Sequence, residues 1–452
     1  MRDPVHGDVY LTHEELRVID TPEFQRLRGI KQLGTAYLVY PGALHTRFDH
    51  SIGTVHLVQK VIDSINLSFE LDPAGNLSIS DGEARVIRLA ALLHDVTHVP
   101  YGHNIEDQDG LFERHDSAYR YTRMFSPERP LGRVLDELGV REDLFSILTK
   151  PGTEGRTQTP PYWGQLISGT IAADILDYLA RDAYFTGLRL QVDPRVTSYF
   201  RIERASGNLY IDLAKKELLR EDILSEIVRM LEARYYFSER VYYHHAKVAA
   251  GALVARAVDR LVRAGALTEE DLYDQTDSSV LDALDAAAVK VGGAVREEVR
   301  DLTDRLRNRR LFKRACVFPR YENEAVQEGL VGRFFATGGA AARTEVEEKI
   351  SDLVRFATGK ETQVVIYCPA KAMQLKEARI HMRWPGEAEI RPLSEYSARI
   401  PRLGDLEESY RNLWKFYVFA DTDDPSRLAK IAEVAQAEFA EATNAYDAAA
   451  GR

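Results

Sequence analysis

The feature that most constrains the fold of this chain is an apolar helix that ends in an adjacent histidine and aspartate. Apolar side chains recur at helical spacing over residues 86–93, and His94-Asp95 follow directly. Such a pair offers one imidazole and one carboxylate in nearly the same place. Nitrogen and oxygen ligands together suit a first-row divalent metal, although a structural role is the simpler interpretation of the pair taken alone.

Further periodic segments predict that most of the chain is helical. Two strands and a hairpin with its turn at Gly207-Asn208 are expected as well. The sequence therefore predicts a mainly α fold, with a helical body over 1–310 and a smaller α+β part over 311–452. The predicted helices cover 11–29, 53–67, a segment capped by Asp81 that ends at His94, 167–183, 221–264 and 425–447; the hairpin covers 199–213, and the strands cover 362–370 and 378–384.

Charge and composition exclude several classes of protein. The net charge of −11 argues against a protein that coats nucleic acid, because such coating needs a large positive field. Cys316 and Cys368 form neither a disulfide framework nor a spaced zinc motif. The first ten residues lack the apolar core of a signal peptide, and no segment is apolar enough to cross a bilayer. We expect no membrane association and a cytoplasmic location.

Histidines cluster between residues 45 and 115, around the His94-Asp95 pair. The segment 94–103 holds three of them, and His50 lies upstream in the segment HTRFDHS. Downstream, Asp174, Tyr178 and Asp182 are spaced so that they lie in one line on a helix, about 6 Å apart per step. Carboxylates on an otherwise apolar helix are costly to bury unless something binds them. A solvated polar face is the alternative, and the apolar neighbours of these residues disfavour it.

A later helical segment supplies a candidate phosphate and sugar contact. Arg234 and Tyr242 are eight residues apart, about 12 Å along a helix axis, which is about the span from a sugar to a polyphosphate tail. The planar guanidinium of Arg234 suits a phosphate clamp, and Tyr242 could pack against the sugar. Periodicity alone favours core packing for Tyr242.

Three runs of this sequence resemble one known family. Residues 5–53, 92–103 and 174–182 are similar, in order and at matching spacing, to the HD-domain deoxynucleoside triphosphate triphosphohydrolases. The resemblance extends over about the first 260 residues. It implies hydrolysis of deoxynucleoside triphosphates to a deoxynucleoside and inorganic triphosphate. It also implies one first-row divalent metal (Fe, Zn, Mn or Ni), with Mg²⁺ arriving on the substrate. The implied metal ligands are His50, His94, Asp95 and Asp174.

The resemblance also assigns contacts to the substrate. Leu33 and Tyr242 match residues that crowd the sugar 2′ position, which favours deoxynucleotides over ribonucleotides. Ile175 departs from the family, since mammalian members have a triphosphate-binding lysine there. The remaining implied roles are an α-phosphate contact for Arg47, a general acid for His103 beside His98 and His115, phosphate contacts for Tyr178 and Arg234, and 3′-hydroxyl contacts for Gln32 and Asp182.

A regulatory site is a further implication of the resemblance. Asp20, Gln25 and Arg28 match residues that bind a guanine nucleotide effector between subunits, so we expect such an effector and a homo-oligomer, a dimer or a tetramer. Arg2 and Asp8 depart from the family close to this pocket. Alternatively, Asp20 with the following Thr-Pro starts a helix, and the arginines form a solvated face.

Two other functions remain open at this point. The same metal site serves nucleases and hydrolases of signalling nucleotides, but the acidic charge and the crowded sugar pocket count against them. A non-catalytic nucleotide sensor is the second alternative. The complete ligand set counts against it, because a sensor needs no nucleophile-generating metal.

Overall fold

The computed structural model describes residues 1–73, 76–106, 111–150, 153–154, 156, 158–168, 171–190, 193–370, 373 and 380–448. Helices form most of this part of the chain, so the predicted mainly α class is confirmed. Among the described helices, none combines the length and the apolar character that a bilayer span requires. The helices are α1 (His13–Ile19), α2 (Pro22–Gln25), α3 (Arg47–Leu71), α4 (Asp81–Leu93), α5 (Gly102–Glu106), α6 (Ala118–Met124), α7 (Pro130–Leu138), α8 (Arg141–Leu148), α9 (Pro161–Ser168), α10 (Ala173–Thr186), α11 (Glu221–Phe237), α12 (His245–Arg263), α13 (Ser279–Val291), α14 (Gly293–Arg307), α15 (Arg320–Asn323), α16 (Gln327–Leu330), α17 (Ala340–Thr358), α18 (Pro401–Arg411) and α19 (Pro425–Glu438).

The strands of the described residues form small sheets. One sheet has the order β10-β9-β4-β3, in which the β4–β9 pair is parallel and its neighbours are antiparallel. A second sheet, β7-β11-β8, is antiparallel, and β1–β2 and β5–β6 form two short ribbons. The strands are β1 (Arg2–Asp3), β2 (Gly7–Asp8), β3 (Phe200–Ile202), β4 (Leu209–Asp212), β5 (Ala214–Lys215), β6 (Leu218–Leu219), β7 (Lys313–Pro319), β8 (Val364–Tyr367), β9 (His381–Arg383), β10 (Ile390–Pro392) and β11 (Lys415–Ala420).

The chain forms two compact units that alternate along the sequence. Unit 1 contains Met1–Pro100, Arg114–Phe237 and Leu375–Leu406, and unit 2 contains Tyr101–Glu113, Ser238–Gln374 and Glu407–Arg452. These units are defined by contacts within the folded chain. The domain boundary at residue 310 therefore stays a prediction.

Helix α3 is the central element of unit 1. It begins with a capping box, in which Thr46 and Asp49 bond each other's backbone N–H, and this box fixes the first turn that carries Arg47 and His50. The apolar positions expected over 53–67 are buried against α4 and α10. Helix α4 ends at Leu93 with His94 as its C-cap, as predicted. These three helices together position His50, His94, Asp95 and Asp174.

Several predicted helices are interrupted. The predicted helix over 11–29 is wrong as one element, because α1 ends at its C-cap Asp20, and α2 restarts with Pro22 in its first turn and continues into a 3₁₀ turn. Ser80, and not Asp81, caps α4. The segment 221–264 divides into α11, a π turn over Ser238–Tyr242, and α12.

The segment 167–183 does not form a single helix either. It spans the end of α9 and most of α10, and residues 169–170 between them lie outside the described part. The predicted hairpin is confirmed as β3 and β4, with Gly207 in the left-handed region at φ +67°. Strands β8 and β9 lie within 362–370 and 378–384, and α19 lies within 425–447.

Unit 2 contains an aromatic core around its antiparallel sheet. Phe318 and Phe416 stack with their ring centroids 4.3 Å apart, and Phe439 packs against both. Trp414 is fully buried beside Phe416. Aromatic side chains of this size bury much apolar area, which accounts for a stable sheet of three strands.

Candidate metal centre

The four predicted metal ligands lie together in unit 1 and are called the metal-ligand cluster: His50, His94, Asp95 and Asp174. Helix α3 carries His50 in its first turn, His94 and Asp95 directly follow α4, and Asp174 lies in the first turn of α10. Three helices that pack together therefore direct their ends to one place. His50 is 1 % exposed, whereas the side chain of Asp174 is 27 % exposed, so the cluster is buried with one side open.

The ligand atoms of this cluster lie close together. The Nε2 atoms of His50 and His94 are 3.2 Å apart, and Asp174 Oδ1 lies 3.0 Å from His50 Nε2 and 3.8 Å from His94 Nε2. Within the described residues, one ligand atom from each of these three residues lies within 4.8 Å of the others. Asp95 is adjacent, with its oxygens 3.9 Å from His50 Nε2 and 3.7 Å from His94 Nε2.

The Nδ1 atoms of both histidines are already engaged, and this leaves the Nε2 atoms for the cluster. Because the carbonyl of Ala91 and the carboxylate of Asp177 only accept, His94 Nδ1–H donates to Ala91 O at 2.7 Å, and His50 Nδ1–H donates to Asp177 Oδ2 at 2.7 Å. In a metal site, a hydrogen bond at one ring nitrogen fixes the tautomer that ligates through the other.

The donor set fits a divalent cation. Two imidazole nitrogens and the carboxylate of Asp174 lie around one point, with the Asp95 carboxylate adjacent, and groups of these kinds are ligands of first-row metals and of zinc. In the protein without a cation, burial lowers the pKa of His50, but Asp174 and Asp177 outweigh burial and raise it to about 10. The surroundings of the His50 ring thus favour positive charge, and the cluster is suited to hold a divalent metal.

Asp95 is also bonded outside the cluster. Arg47 Nη1 donates to Asp95 Oδ2 at 2.6 Å, and His98 Nε2 lies 3.2 Å from Asp95 Oδ1. Burial opposes the charged carboxylate, but Arg47, His94 and His98 hold the pKa of Asp95 well below its usual value. Burial, with Arg47 and His115, lowers the pKa of His98 well below its usual value.

Asp177, which the sequence analysis did not select, links the cluster to residues far away in the chain. It is fully buried, accepts two bonds at 2.9 Å from Arg181, and is bonded by His6 Nε2 at 2.6 Å. Burial opposes its charged form, but Arg181, His50 and His6 hold the pKa of Asp177 well below its usual value. An aspartate and an arginine four residues apart on a helix are a recognisable pair, so a signal for Asp177 was present.

Gln32 and Asp182, the residues predicted to bind the sugar 3′-hydroxyl, both make a hydrogen bond with His45. The backbone N–H of Gln32 donates to His45 O at 3.0 Å, and His45 Nε2 lies 2.9 Å from Asp182 Oδ1. His45 and Asp182 are both fully buried. The Gln32 side-chain oxygen is buried and has no hydrogen-bond partner in the part of the chain that the structure describes. The sequence analysis did not select His45 for this end of the site.

The other predicted substrate residues are distributed over both units. In unit 1, Leu33 is buried before a 3₁₀ turn, Tyr178 has its ring centroid 6.5 Å from that of His50, and Arg234 is half-buried on α11. His98 and His115 stack at 3.9 Å between ring centroids. Unit 2 contains His103, exposed on α5, and Tyr242, at the end of the π turn. The roles of all these residues stay predictions.

The three predicted effector residues lie close together in unit 1. Asp20 is exposed at the C-cap of α1, and Thr21, which follows it, is the N-cap of α2, so the alternative that Asp20 caps that helix is wrong. Gln25 Nε2 donates to Ile19 O at 2.8 Å, and Arg28 Nε donates to Gln25 Oε1 at 2.9 Å. The guanidinium of Arg28 lies 3.5 Å from the ring centroid of Phe48.

Two family models match this sequence. The model of the HD domain matches residues 47–181, the segment that contains all four members of the metal-ligand cluster. The model of the HD-associated region matches residues 214–439, which is half of the chain. The two matches follow each other in sequence order and together cover most of the chain.

Individual relatives are similar to this chain over most of its length. An uncharacterized protein of Methanocaldococcus jannaschii is 30% identical over 330 residues, 73% of this chain and 62% of that protein. The deoxynucleoside triphosphate triphosphohydrolase SAMHD1 of Gallus gallus is 25% identical over 456 residues, 88% of this chain and 71% of that protein. This chain thus covers less than two thirds of the archaeal relative.

A solved structure shares the fold. The crystal structure of a phosphohydrolase from Bacteroides thetaiotaomicron superposes on this chain with a TM-score of 0.63 at 21% identity. The superposition covers 93% of this chain and 99% of the Bacteroides chain. At this identity the likeness shows the fold alone.

Proposed function

We propose, from the premise that this chain belongs to the family of HD-domain proteins with an HD-associated region, that it is a metal-dependent deoxynucleoside triphosphate triphosphohydrolase. The products are a deoxynucleoside and inorganic triphosphate. One observation carries the proposal: His50, His94 and Asp174 present ligand atoms within 4.8 Å of one another, next to Asp95 and a buried arginine. The relatives named as enzymes of this kind support this substrate class.

The metal-ligand cluster would hold one divalent metal, and Mg²⁺ would arrive with the triphosphate. Such a metal supplies positive charge at the phosphate and lowers the pKa of water. Arg47 is the residue suited to the α-phosphate. Its Nη1 pairs with Asp95, whereas its Nε is buried without a hydrogen-bond partner among the described residues. A guanidinium beside the cluster suits a phosphate oxygen, because arginine–phosphate hydrogen bonds are charge-assisted.

Proton transfer and orientation are assigned to the histidines. The leaving 5′-oxygen needs a proton, and His103 is the proposed donor, because imidazole can supply one near neutral pH. His98 Nε2 lies 3.2 Å from Asp95 Oδ1, and His98 is proposed to orient that carboxylate together with Arg47. His115 stacks on His98 and keeps its ring in place.

The contacts to the sugar are assigned to Gln32, Asp182, Leu33 and Tyr242. Gln32 and Asp182 are proposed to bond the 3′-hydroxyl, while Leu33 and Tyr242 exclude a 2′-hydroxyl. Tyr178 and Arg234 are the proposed phosphate contacts. A pocket that excludes one added hydroxyl by shape discriminates by about 10- to 200-fold. We therefore expect dGTP to be hydrolysed with at least about tenfold higher catalytic efficiency than GTP.

A guanine nucleotide activator and a homo-oligomer complete the proposal. Asp20 and Arg28 are exposed on one unit, so a ligand or a second copy of the chain can approach them. A carboxylate can accept from guanine N1 and N2, and an arginine can donate to O6 and N7. A ligand shared between copies would stabilise the assembled state by mass action.

The test is product analysis with the full chain and all four deoxynucleoside triphosphates, with and without added GTP. We expect deoxynucleoside and inorganic triphosphate in equal amounts. In ¹⁸O-water the label should enter the triphosphate, because water attacks the α-phosphorus and the bond to the 5′-oxygen breaks. Light scattering in the same buffers reports the assembly.

Matched controls separate the alternatives. Single-stranded DNA tests for a nuclease, and His50→Ala provides the background of a protein without one ligand. If the metal-loaded protein leaves all four deoxynucleotides intact with and without GTP, the proposed reaction is wrong. Equal efficiency on GTP and dGTP would overturn the assignment of Leu33 and Tyr242. An unchanged rate and mass on addition of GTP would overturn the effector assignment.

A further inference from the structure

A turn at residues 3–6, the 3–6 turn, reaches the metal-ligand cluster through one buried carboxylate. Asp177 Oδ2 accepts from His50 Nδ1 at 2.7 Å and from Arg181 Nε at 2.9 Å. Its Oδ1 accepts from His6 Nε2 at 2.6 Å and from Arg181 Nη2 at 2.9 Å. A carboxylate offers about four acceptor positions. All of them are occupied, so the carboxylate cannot rotate without breaking bonds.

Asp3 is hydrogen-bonded both to Arg181 and to the backbone of the 3–6 turn. Its Oδ2 accepts from Arg181 Nη1 at 2.8 Å. Its Oδ1 accepts from the backbone N–H groups of Val5 at 2.9 Å and His6 at 2.8 Å. The same carboxylate thus anchors the arginine that holds Asp177 and shapes the turn that presents His6.

The burial of these groups makes the network costly to disturb. Asp177 and Arg181 have fully buried side chains, and the side chains of His6 and Asp3 are 9 % and 5 % exposed. A buried carboxylate that loses a donor has no water to replace it, and so it moves toward its remaining donors. Movement of Asp177 would turn the ring of His50, because their bond is the one that the Nδ1 atom of His50 makes.

We propose that the 3–6 turn is a positioning element for the metal ligand His50 and acts through Asp177. The inference rests on the proposed function, since it takes His50 as a metal ligand. His6 and Asp3 are positioning residues that touch neither the metal nor the substrate. Groups bonded to a metal-ligating histidine typically change metal affinity by about 10- to 100-fold when they are removed.

The test measures how fast the full chain releases a metal. Each variant is loaded with one equivalent of Zn²⁺, and transfer to a chromogenic chelator is followed. We expect Asp177→Asn to release Zn²⁺ about 10- to 100-fold faster than the unchanged protein, and His6→Ala about tenfold faster. His6→Gln should restore most of the slow release, because its amide can donate to the same oxygen. His13→Ala is the matched control, since His13 is exposed at the start of α1.

The outcomes decide the inference independently of the reaction. A folded His6→Ala variant that releases Zn²⁺ within twofold of the control would overturn it, even if Asp177→Asn fails to fold. Release by His50→Ala at the unchanged rate would overturn both the metal site and this inference. If the release rates follow expectation but no deoxynucleotide is hydrolysed, the positioning role stands and the proposed reaction falls.

Discussion

The two histidines of the proposed metal centre face each other, but different parts of the chain hold them. His50 is oriented by Asp177, which lies 127 residues away in sequence, and Asp177 is bonded by His6, 171 residues away from it. His94 is oriented by Ala91 O, three residues back, and its own carbonyl accepts from Tyr121, 27 residues ahead. One ligand thus depends on long-range side-chain contacts and the other on its own helix.

Because of this difference, the orientation of His94 should tolerate nearby substitutions better than the orientation of His50. A main-chain carbonyl at the end of a helix is fixed as long as the helix forms, so His94 needs little outside support. The orientation of His50 depends on four charged or polar side chains from separate segments, and the loss of any one leaves a buried group unsatisfied. The comparison therefore predicts unequal responses to substitutions around two equally important ligands.

The largest effect is expected when either histidine is removed, and it should be equally large for His50 and His94. His50→Ala or His94→Ala removes a ligand, and we expect loss of bound metal and a fall in turnover of about 1,000-fold. A metal contributes several kcal/mol to catalysis, and each 1.4 kcal/mol is tenfold. Metal analysis with assays on dATP checks both variants, and Asp95→Ala should follow them. Full metal content in either histidine variant, with normal turnover, would remove that residue from the cluster.

The same asymmetry explains how much of the site the sequence could predict. The His94-Asp95 pair is visible because a periodic helix runs into it, and Asp174 is visible because it lies in line with Tyr178 on an apolar helix. His6 has no such local signal, since its role exists only once the 3–6 turn packs against α10.

Helix boundaries illustrate the same limit for the fold. The apolar periodicity of α3 predicts the helix but not its first turn, which the polar capping box of Thr46 fixes. The periodicity over 221–264 also cannot show that a π turn separates two helices, because apolar spacing continues across the break.

An intermediate effect is expected for a substitution next to Asp177, the residue that orients His50. Gly53 lies within α3, where an added Cβ would overlap Asp177 Oδ1 and Arg181 Nη2. Gly53→Ala should lower the free energy of unfolding by about 1–3 kcal/mol, as overpacking does, and should accelerate Zn²⁺ release. Gly82→Ala is the control, because a Cβ there meets nothing within 4 Å. It should be neutral or stabilise α4 by up to about 1 kcal/mol. Equal urea-unfolding curves for the two variants would contradict the close packing at Gly53.

The smallest effect is expected for a substitution that removes a hydrogen bond to the backbone of His94. The hydroxyl of buried Tyr121 donates to His94 O at 2.7 Å, so Tyr121→Phe removes one neutral hydrogen bond and costs about 1 kcal/mol of stability. The ring of His94 keeps its bond to Ala91 O, and its Nε2 stays directed at the cluster. Zn²⁺ release should therefore stay within about threefold of the unchanged protein, well below the acceleration expected for His6→Ala. Were the two variants to release Zn²⁺ equally fast, the local support of His94 would be no stronger than the long-range support of His50, and the contrast between the two sides would fail.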